Sequence, residues 1–385
     1  VDQLALGTNG RSRLLSKSVL VTGGAGFIGS ALAHRLVDAG YDVAAMDVLH
    51  PQVHAKGRAL NLPQSVRLFT GDVTHGPDWD AVLRLFTPSQ VVHLAAETGT
   101  AQSLSEATRH GSVNVVGTTQ MLDALSRAEL VPEQFVLASS RAVYGEGAWR
   151  CGEEIFYPSP RSHAQLVAGQ WDPQGPAGER AEPLPSCAAR TQPRPTNIYG
   201  ATKLCQEQLL AAWGAAHDAQ LSVLRLQNVY GPGQSLTNPY TGVVPFFARA
   251  AREHRASEVF EDGQIVRDLV YIDDVVDAMF ATIEYPATGS RSLDIGSGTG
   301  TTILELARKV AASMPPITPV PTETRAPAPA PCEMASGSTP RMKASEVMMM
   351  GRKRRCTASS VDSIRPLPCA CKSLANSMIR IAFLA

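Results

Sequence analysis

Several features that mark common function classes are scarce in this chain of 385 residues. Neither sign of charge dominates, with 35 lysines and arginines against 35 aspartates and glutamates, so no overall field recruits nucleic acid or an anionic membrane surface. No apolar run approaches the ~20 residues that cross a bilayer. Val1–Lys17 carries no apolar stretch of the signal-peptide kind, and residues 1–16 read as a leader outside the fold. Cysteine is sparse, with seven in all, and none is spaced as a metal-ligand pair before the C-terminal tail. That excludes a zinc framework or a disulfide scaffold. Cys151, Cys187 and Cys205 read as reduced thiols of a cytoplasmic protein. Aromatics are few, but the 44% hydrophobic content is enough for one large core or two modest ones.

Glycine, by contrast, is concentrated where it carries information. The run Ser18-Val-Leu-Val-Thr-Gly-Gly-Ala-Gly-Phe-Ile-Gly29 is a short apolar strand entering a glycine turn, and Ser30–Ala39 continues it as a helix. Gly24, Gly26 and Gly29 have the spacing of a dinucleotide fingerprint, in which glycine lets backbone approach a pyrophosphate and the helix N-terminus receives the anion. A second strand, Tyr41–Asp47, ends in an acid ~20 residues beyond the glycines, where a carboxylate accepts ribose hydroxyls and repels a 2′-phosphate. This favours NAD over NADP.

From residue 18 to about 140, apolar strands alternate with helical stretches: Val19–Val21, Val43–Met46, Val66–Phe69, Val91–Ala96 and Phe135–Ser140, with Asn114–Ala128 the clearest helix. This rhythm predicts an α/β fold, a doubly wound parallel sheet of Rossmann type, followed by a smaller C-terminal substrate-binding region. The stretch 146–195 breaks the rhythm with Pro, Gly, Ala and Arg and reads as a long surface insertion in an otherwise mainly dinucleotide-binding segment, 17–195. Residues 196–311 hold a helix from Tyr199, a strand Leu221–Leu226 and a final helix Ile303–Ala311. Residues 312–385 are atypical, rich in proline and methionine with the basic run Arg352–Arg355, and read as a disordered or frameshifted tail.

Tyr199 and Lys203 are spaced i, i+4 and share a helix face. A phenol titrates near ~10 and is a poor base at neutral pH, but an adjacent ammonium and a cationic ring favour its phenolate. Ser140, at the end of the fifth strand, supplies the hydroxyl that would relay a proton from the reacting oxygen, while alternation turns Ser139 the other way. His93 reads as a packing residue, and Asp273 and Asp274 open a helix at its positive end.

With these residues in place, the chain from about 17 to 311 resembles an extended short-chain dehydrogenase/reductase of the NAD-dependent epimerase/dehydratase family. Gly71-Asp-Val73, His93-Leu-Ala-Ala96, Arg225-Leu-Gln-Asn228 and Arg267-Asp-Leu-Val-Tyr-Ile-Asp-Asp274 add to the match. The resemblance implies a catalytic set of Tyr199, Lys203 and Ser140. It implies NAD held by Gly23, Gly26, Phe27, Ile28, Gly29, Asp47, Asp72, Val73, Leu94, Ala95, Ala96 and Asn114 together with Tyr199 and Lys203. A nucleotide-diphosphate sugar would meet Ser140, Arg141, Asn228 and Arg267; arginine forks suit phosphate oxygens. Family dehydratases have an Asp-Glu pair after the catalytic hydroxyl residue, and this chain has Arg141-Ala142, so the expected reaction is 4-epimerisation. Glu97–Ser103, Ser139–Gly147 and the Arg161-to-Pro173 segment resemble the branch that interconverts dTDP-L-rhamnose and dTDP-6-deoxy-L-talose, with UDP-hexose and UDP-glucuronate 4-epimerases as rivals. A non-catalytic NAD-binding regulator is the alternative of another class. The resemblance also implies a homodimer, and a further basic substrate-binding segment after the helix ending near Ala311, for which the tail offers no match.

Overall fold

The computed structural model describes residues 17–54, 60–235, 242–253, 255–313 and 353–356. The leader at 1–16 and nearly all of the atypical tail lie outside these residues. The chain divides into two compact units.

The first unit comprises Val1–Gly145, Cys187–Leu226 and Ile272–Ile295. Its strands are β1 (Ser18–Thr22), β2 (Asp42–Asp47), β3 (Arg67–Thr70), β4 (Gln90–His93), β5 (Gln134–Ser140), β6 (Gln220–Leu226) and β7 (Ser290–Ile295). They form one sheet in the order β7-β6-β5-β4-β1-β2-β3, with every neighbouring pair parallel. This is the doubly wound Rossmann-type arrangement. The order reverses between β1 and β4, and ligands of such sheets sit beyond the strand ends at that point. The helices that matter for the site are α1 (Phe27–Asp38), α2 (Gly117–Arg127), α3 (Ile198–His217) and α4 (Ile272–Glu284). The core gathers Leu20, Met46, Trp79, Val91, Met121, Leu125, Phe135, Leu137, Leu210 and Leu221. Such strands are covered on both faces, which is why they read as continuous apolar runs rather than alternating ones.

Two predicted elements differ from what the sequence periodicity suggests. The fourth strand stops at His93 rather than Ala96: the Leu94 N–H is shared between the Thr22 carbonyl at 3.1 Å and the Thr22 hydroxyl at 3.2 Å, and the Ala95 N–H turns to that hydroxyl at 3.1 Å. The helix expected from Asn114 is entered through a π-helical turn, Gly111–Val116, before regular α-helix begins at Gly117. Turns of this kind cluster at functional sites, and here the turn carries the buried Asn114.

The second unit comprises Glu146–Ser186, Gln227–Tyr271 and residues from Gly296 on. Much of the stretch that reads as an insertion is ordered there. Trp149–Cys151 pairs antiparallel with Glu154–Phe156 and with Glu182–Pro183. A short helix, His163–Val167, starts at Ser162 with a capping box completed by Gln165. Asn228–Tyr230 pairs parallel with Val266–Tyr271, which pairs antiparallel with Gly300–Thr302. Helices Val243–Arg252 and Ile303–Ser313 pack around Phe247, Val259 and Leu306. Lys353–Cys356 pairs antiparallel with Ser257–Phe260. Among the described residues no helix is long and apolar enough to cross a membrane.

Candidate active site

The glycine turn between β1 and α1 is shaped by backbone alone. Gly23 has φ +65°, and a Cβ there would lie 2.9 Å from the Ala95 nitrogen. A Cβ on Gly29 would run into the Gly23 carbonyl. Only glycine lets the first turn of α1 come this close to the strand end. Gly26 caps α1 without any side-chain hydrogen bond, and no acid occupies the first turn, so Phe27, Ile28 and Gly29 present N–H groups at the positive end of the helix. Asp47, buried at the end of β2, accepts from Ala25 N at 3.1 Å and from Leu49 N at 2.8 Å. The uncapped helix end and this carboxylate fit a dinucleotide with a free 2′-hydroxyl. Further along the strand ends, Asp72 accepts from the Thr74 N–H and hydroxyl, both at 2.8 Å, and the carbonyl of buried Val73 takes the Trp79 indole N–H.

His93, fully buried, belongs to a neutral network. Thr22 Oγ1 already accepts the Leu94 and Ala95 N–H groups, so its own proton goes to His93 Nδ1 at 2.8 Å. His93 Nε2–H then donates to Thr118 Oγ1 at 3.1 Å, and Thr118 donates to the Asn114 carbonyl. Burial, with the Lys203 charge adding to it, pushes the imidazole down to about 3. Asn114 ties three segments together. Its Oδ1 accepts from Glu97 N at 2.8 Å, and its Nδ2 donates to the Glu97 carbonyl and to Thr202 Oγ1.

Asn197 caps α3 by accepting from Gly200 N at 2.8 Å, which sets Tyr199 and Lys203 in the first turns, where α3 packs on β5. Ser140 ends β5 and caps a short 3-10 turn, Arg141–Tyr144, by accepting from Ala142 N. Ser140 lies beside the Tyr199 phenol. Burial raises the Tyr199 phenol above its usual range, while the neighbouring Ser140 hydroxyl and the Arg141 charge pull it back. Lys203, 3% exposed, donates from Nζ to the Ala138 carbonyl at 2.9 Å, and burial lowers it to about 7 against the opposing charge of Glu207. Asn228 and Arg267 lie in the second unit on neighbouring parallel strands, with Asn228 in register with Leu269. Asn228 Oδ1 is buried with no protein donor.

Sequence reasoning passes over several residues here. Thr22, Thr118 and Gln206 complete the His93 network. Arg109 bridges Glu97 at 2.8 Å and Glu106 at 2.9 Å beside the Asn114 anchor. Glu207 pairs with Arg225, and although its i+8 spacing puts it on the Tyr199 face of the helix, nothing in the sequence alone marks that pair. Among the described residues no group of three or more His, Cys, Asp or Glu could hold a metal ion.

The sequence matches the family described as the NAD dependent epimerase/dehydratase family over residues 19–163 and 174–296. It is 53% identical over 298 residues to the dTDP-L-rhamnose 4-epimerase of Burkholderia thailandensis, covering 77% of this chain and 81% of that protein. It is 31% identical to the UDP-glucose 4-epimerase of Mycolicibacterium smegmatis, covering 77% and 82% of the two chains. Among solved structures, the UDP-glucose 4-epimerase of Thermus thermophilus in complex with NAD aligns with a TM-score of 0.59 at 28% identity, over 77% of this chain and 82% of that one.

Proposed function

The chain belongs to the NAD dependent epimerase/dehydratase family, and we infer that within it this protein is a nucleotide-sugar 4-epimerase interconverting dTDP-L-rhamnose and dTDP-6-deoxy-L-talose. The observation that carries the chemistry is the placement of Tyr199 and Lys203 one turn apart on α3, with Ser140 beside the phenol. The identity to the Burkholderia dTDP-L-rhamnose 4-epimerase supports the choice of sugar.

In this reading Tyr199 takes the proton from the sugar O4, through or beside the Ser140 hydroxyl, and returns it at the end of the cycle. Lys203 would hold the nicotinamide ribose and, as an ammonium, favours the phenolate that burial opposes. NAD, when bound along the glycine turn and Asp47, supplies the acceptor and donor of hydride at C4. For epimerisation the 4-keto sugar would have to turn over, so that C4 presents its opposite face. Arg141, Asn228 and Arg267 would meet the nucleotide-sugar, the arginines through their forks. Nothing in this cycle needs an acid and base for water elimination, which agrees with Arg141-Ala142 after Ser140. The same reading includes a homodimer and a cytoplasmic location.

The deciding experiment supplies purified protein with dTDP-L-rhamnose in deuterated water and no added cofactor. The expected outcome is dTDP-6-deoxy-L-talose with no solvent deuterium at C4. Conversion of UDP-glucose alone would move the assignment to the UDP-hexose branch, to which the Thermus relative belongs by its name. Label at C4 would reject hydride return altogether.

A further inference from the structure

We propose that Glu207 is a positioning residue for Lys203: it clamps α3 onto the end of β5 and supplies the buried negative charge that favours the lysine ammonium. The proposal rests on the epimerase reading above.

Tyr199, Lys203 and Glu207 recur at i, i+4 and i+8, so one face of α3 presents all three. Each meets a successive part of the β5 end. Tyr199 lies beside Ser140, Lys203 donates to the Ala138 carbonyl at 2.9 Å, and Ser139 Oγ donates to Glu207 Oε1. The Glu207 carboxylate also receives Arg225 Nε at 3.1 Å and Nη2 at 2.7 Å. Arg225 Nη1 donates to the Tyr144 hydroxyl at 3.0 Å, and Tyr144 donates to Asp294 Oδ1 at 2.7 Å. Lys203, Glu207 and Arg225 are each less than a tenth exposed.

A buried Glu–Arg pair is not needed for stability alone, since well-packed apolar groups of similar volume often do as well. Its value here is in the count of charges around Lys203. His93, facing it from β4, is neutral; Arg225 on β6 is a second buried cation; Tyr144 lies between Arg225 and Asp294 of β7. Glu207 is therefore the anion on the lysine's own helix face, one turn away. Its charge opposes the desolvation that draws Lys203 down to about 7.

The test uses the full chain with bound NAD, and compares Glu207→Gln, Glu207→Asp and Arg225→Met with the unaltered protein. Glu207→Gln is expected to move the alkaline limb of the kcat–pH profile down by about one pH unit. Glu207→Asp, which keeps the charge, should restore the limb even if kcat is reduced. Arg225→Met, which removes the competing cation, should move it upward, and this variant carries the test if Glu207→Gln does not fold.

A second readout needs no substrate. Lys203 is less basic folded than unfolded, so stability from this group is lost as pH falls from the unfolded value toward the folded one. With Glu207 neutralised the fall continues to lower pH, and the Tm deficit of Glu207→Gln should be larger at about pH 6 than at about pH 8.5. An unmoved limb together with equal deficits at the two pH values would reduce Glu207 to a strut and overturn the proposal. Absence of turnover in the unaltered protein would reject the epimerase reading instead, leaving the unfolding comparison still decisive.

Discussion

The glycine turn after β1 and the face of α3 against β5 both handle charge, but by different means. At the glycine turn the chain contributes backbone N–H groups, an uncapped helix end and one carboxylate. On α3 the groups are buried side chains with fixed partners: Lys203 on the Ala138 carbonyl, and Glu207 on Ser139 and Arg225. The first arrangement tolerates little added volume, and its work is done by fixed backbone dipoles. The second tolerates shape changes poorly too, but its function lies in where protons sit. Substitution should therefore separate the two: changes on α3 alter the rate of chemistry, and changes at the turn alter retention of the dinucleotide.

The largest effect is expected from Tyr199→Phe. Loss of a general base costs ~10²–10⁴-fold in rate, and this substitution also removes the hydroxyl that lies beside Ser140. Turnover should fall by that range while NAD and dTDP-sugar still bind, as measured by single-turnover kinetics and by equilibrium titration. Near-normal turnover would take Tyr199 out of the mechanism. A parallel loss of NAD would mean that the two corners are not separable.

A smaller effect, on the other side of the comparison, is expected from Asp47→Ala. The carboxylate would accept from the ribose hydroxyls, and the net loss is expected to be that of one hydrogen bond to a charged group, about 1.5–3 kcal/mol. NAD affinity should drop by roughly 10–100-fold, and the preference over NADP should shrink because the repulsion of a 2′-phosphate is gone. The Ala25 and Leu49 N–H groups lose their acceptor at the same time, so part of the change will show as a lower Tm in the apo protein. Unchanged retention of NAD would place ribose recognition elsewhere.

How much of this is legible in the sequence follows the same division. Strand–helix alternation identifies the sheet because parallel strands buried on both faces must be apolar along their whole length, and Val19–Val21 and Phe135–Ser140 lie within the observed β1 and β5. Spacing puts Tyr199 and Lys203 on one helix face, and the structure has both on α3. The end of β4 is hidden because Leu94 and Ala95 are apolar, yet the Ala95 N–H goes to a threonine hydroxyl from a strand distant in sequence, and that threonine's hydroxyl and carbonyl share the Leu94 N–H. The π-helical turn at Gly111–Val116 leaves no trace in periodicity, since it shifts one turn and keeps the apolar face beyond it. Glu207 reads locally as an ordinary helix-surface acid. Only the pairing of β5 with β6, which sets Ser139 beside Arg225, shows that it is buried.

The smallest effect on turnover is expected at His93, which sits between the two corners and belongs to neither. Its imidazole is neutral by geometry: Nδ1 receives the Thr22 hydroxyl and Nε2–H goes to Thr118. His93→Asn retains an acceptor for Thr22, and Thr118 keeps the Gln206 donor at 2.8 Å, so kcat at about pH 8 should change by no more than about twofold, a loss smaller than one ordinary hydrogen bond represents. The consequence for acid stability is larger. A histidine held down to about 3 when folded, against ~6.5 when unfolded, is fully stabilising above pH ~6.5. That stability is lost progressively as pH falls, because the unfolded state takes up the proton first. The unaltered protein should thus lose stability between about pH 6.5 and pH 4 more steeply than His93→Asn, which has nothing to protonate at this position. Urea unfolding at about pH 7.5, 6 and 4.5 measures the two slopes. Equal slopes would mean that His93 is charged in the folded state, and the tautomer assigned from Thr22 and Thr118 would then be wrong.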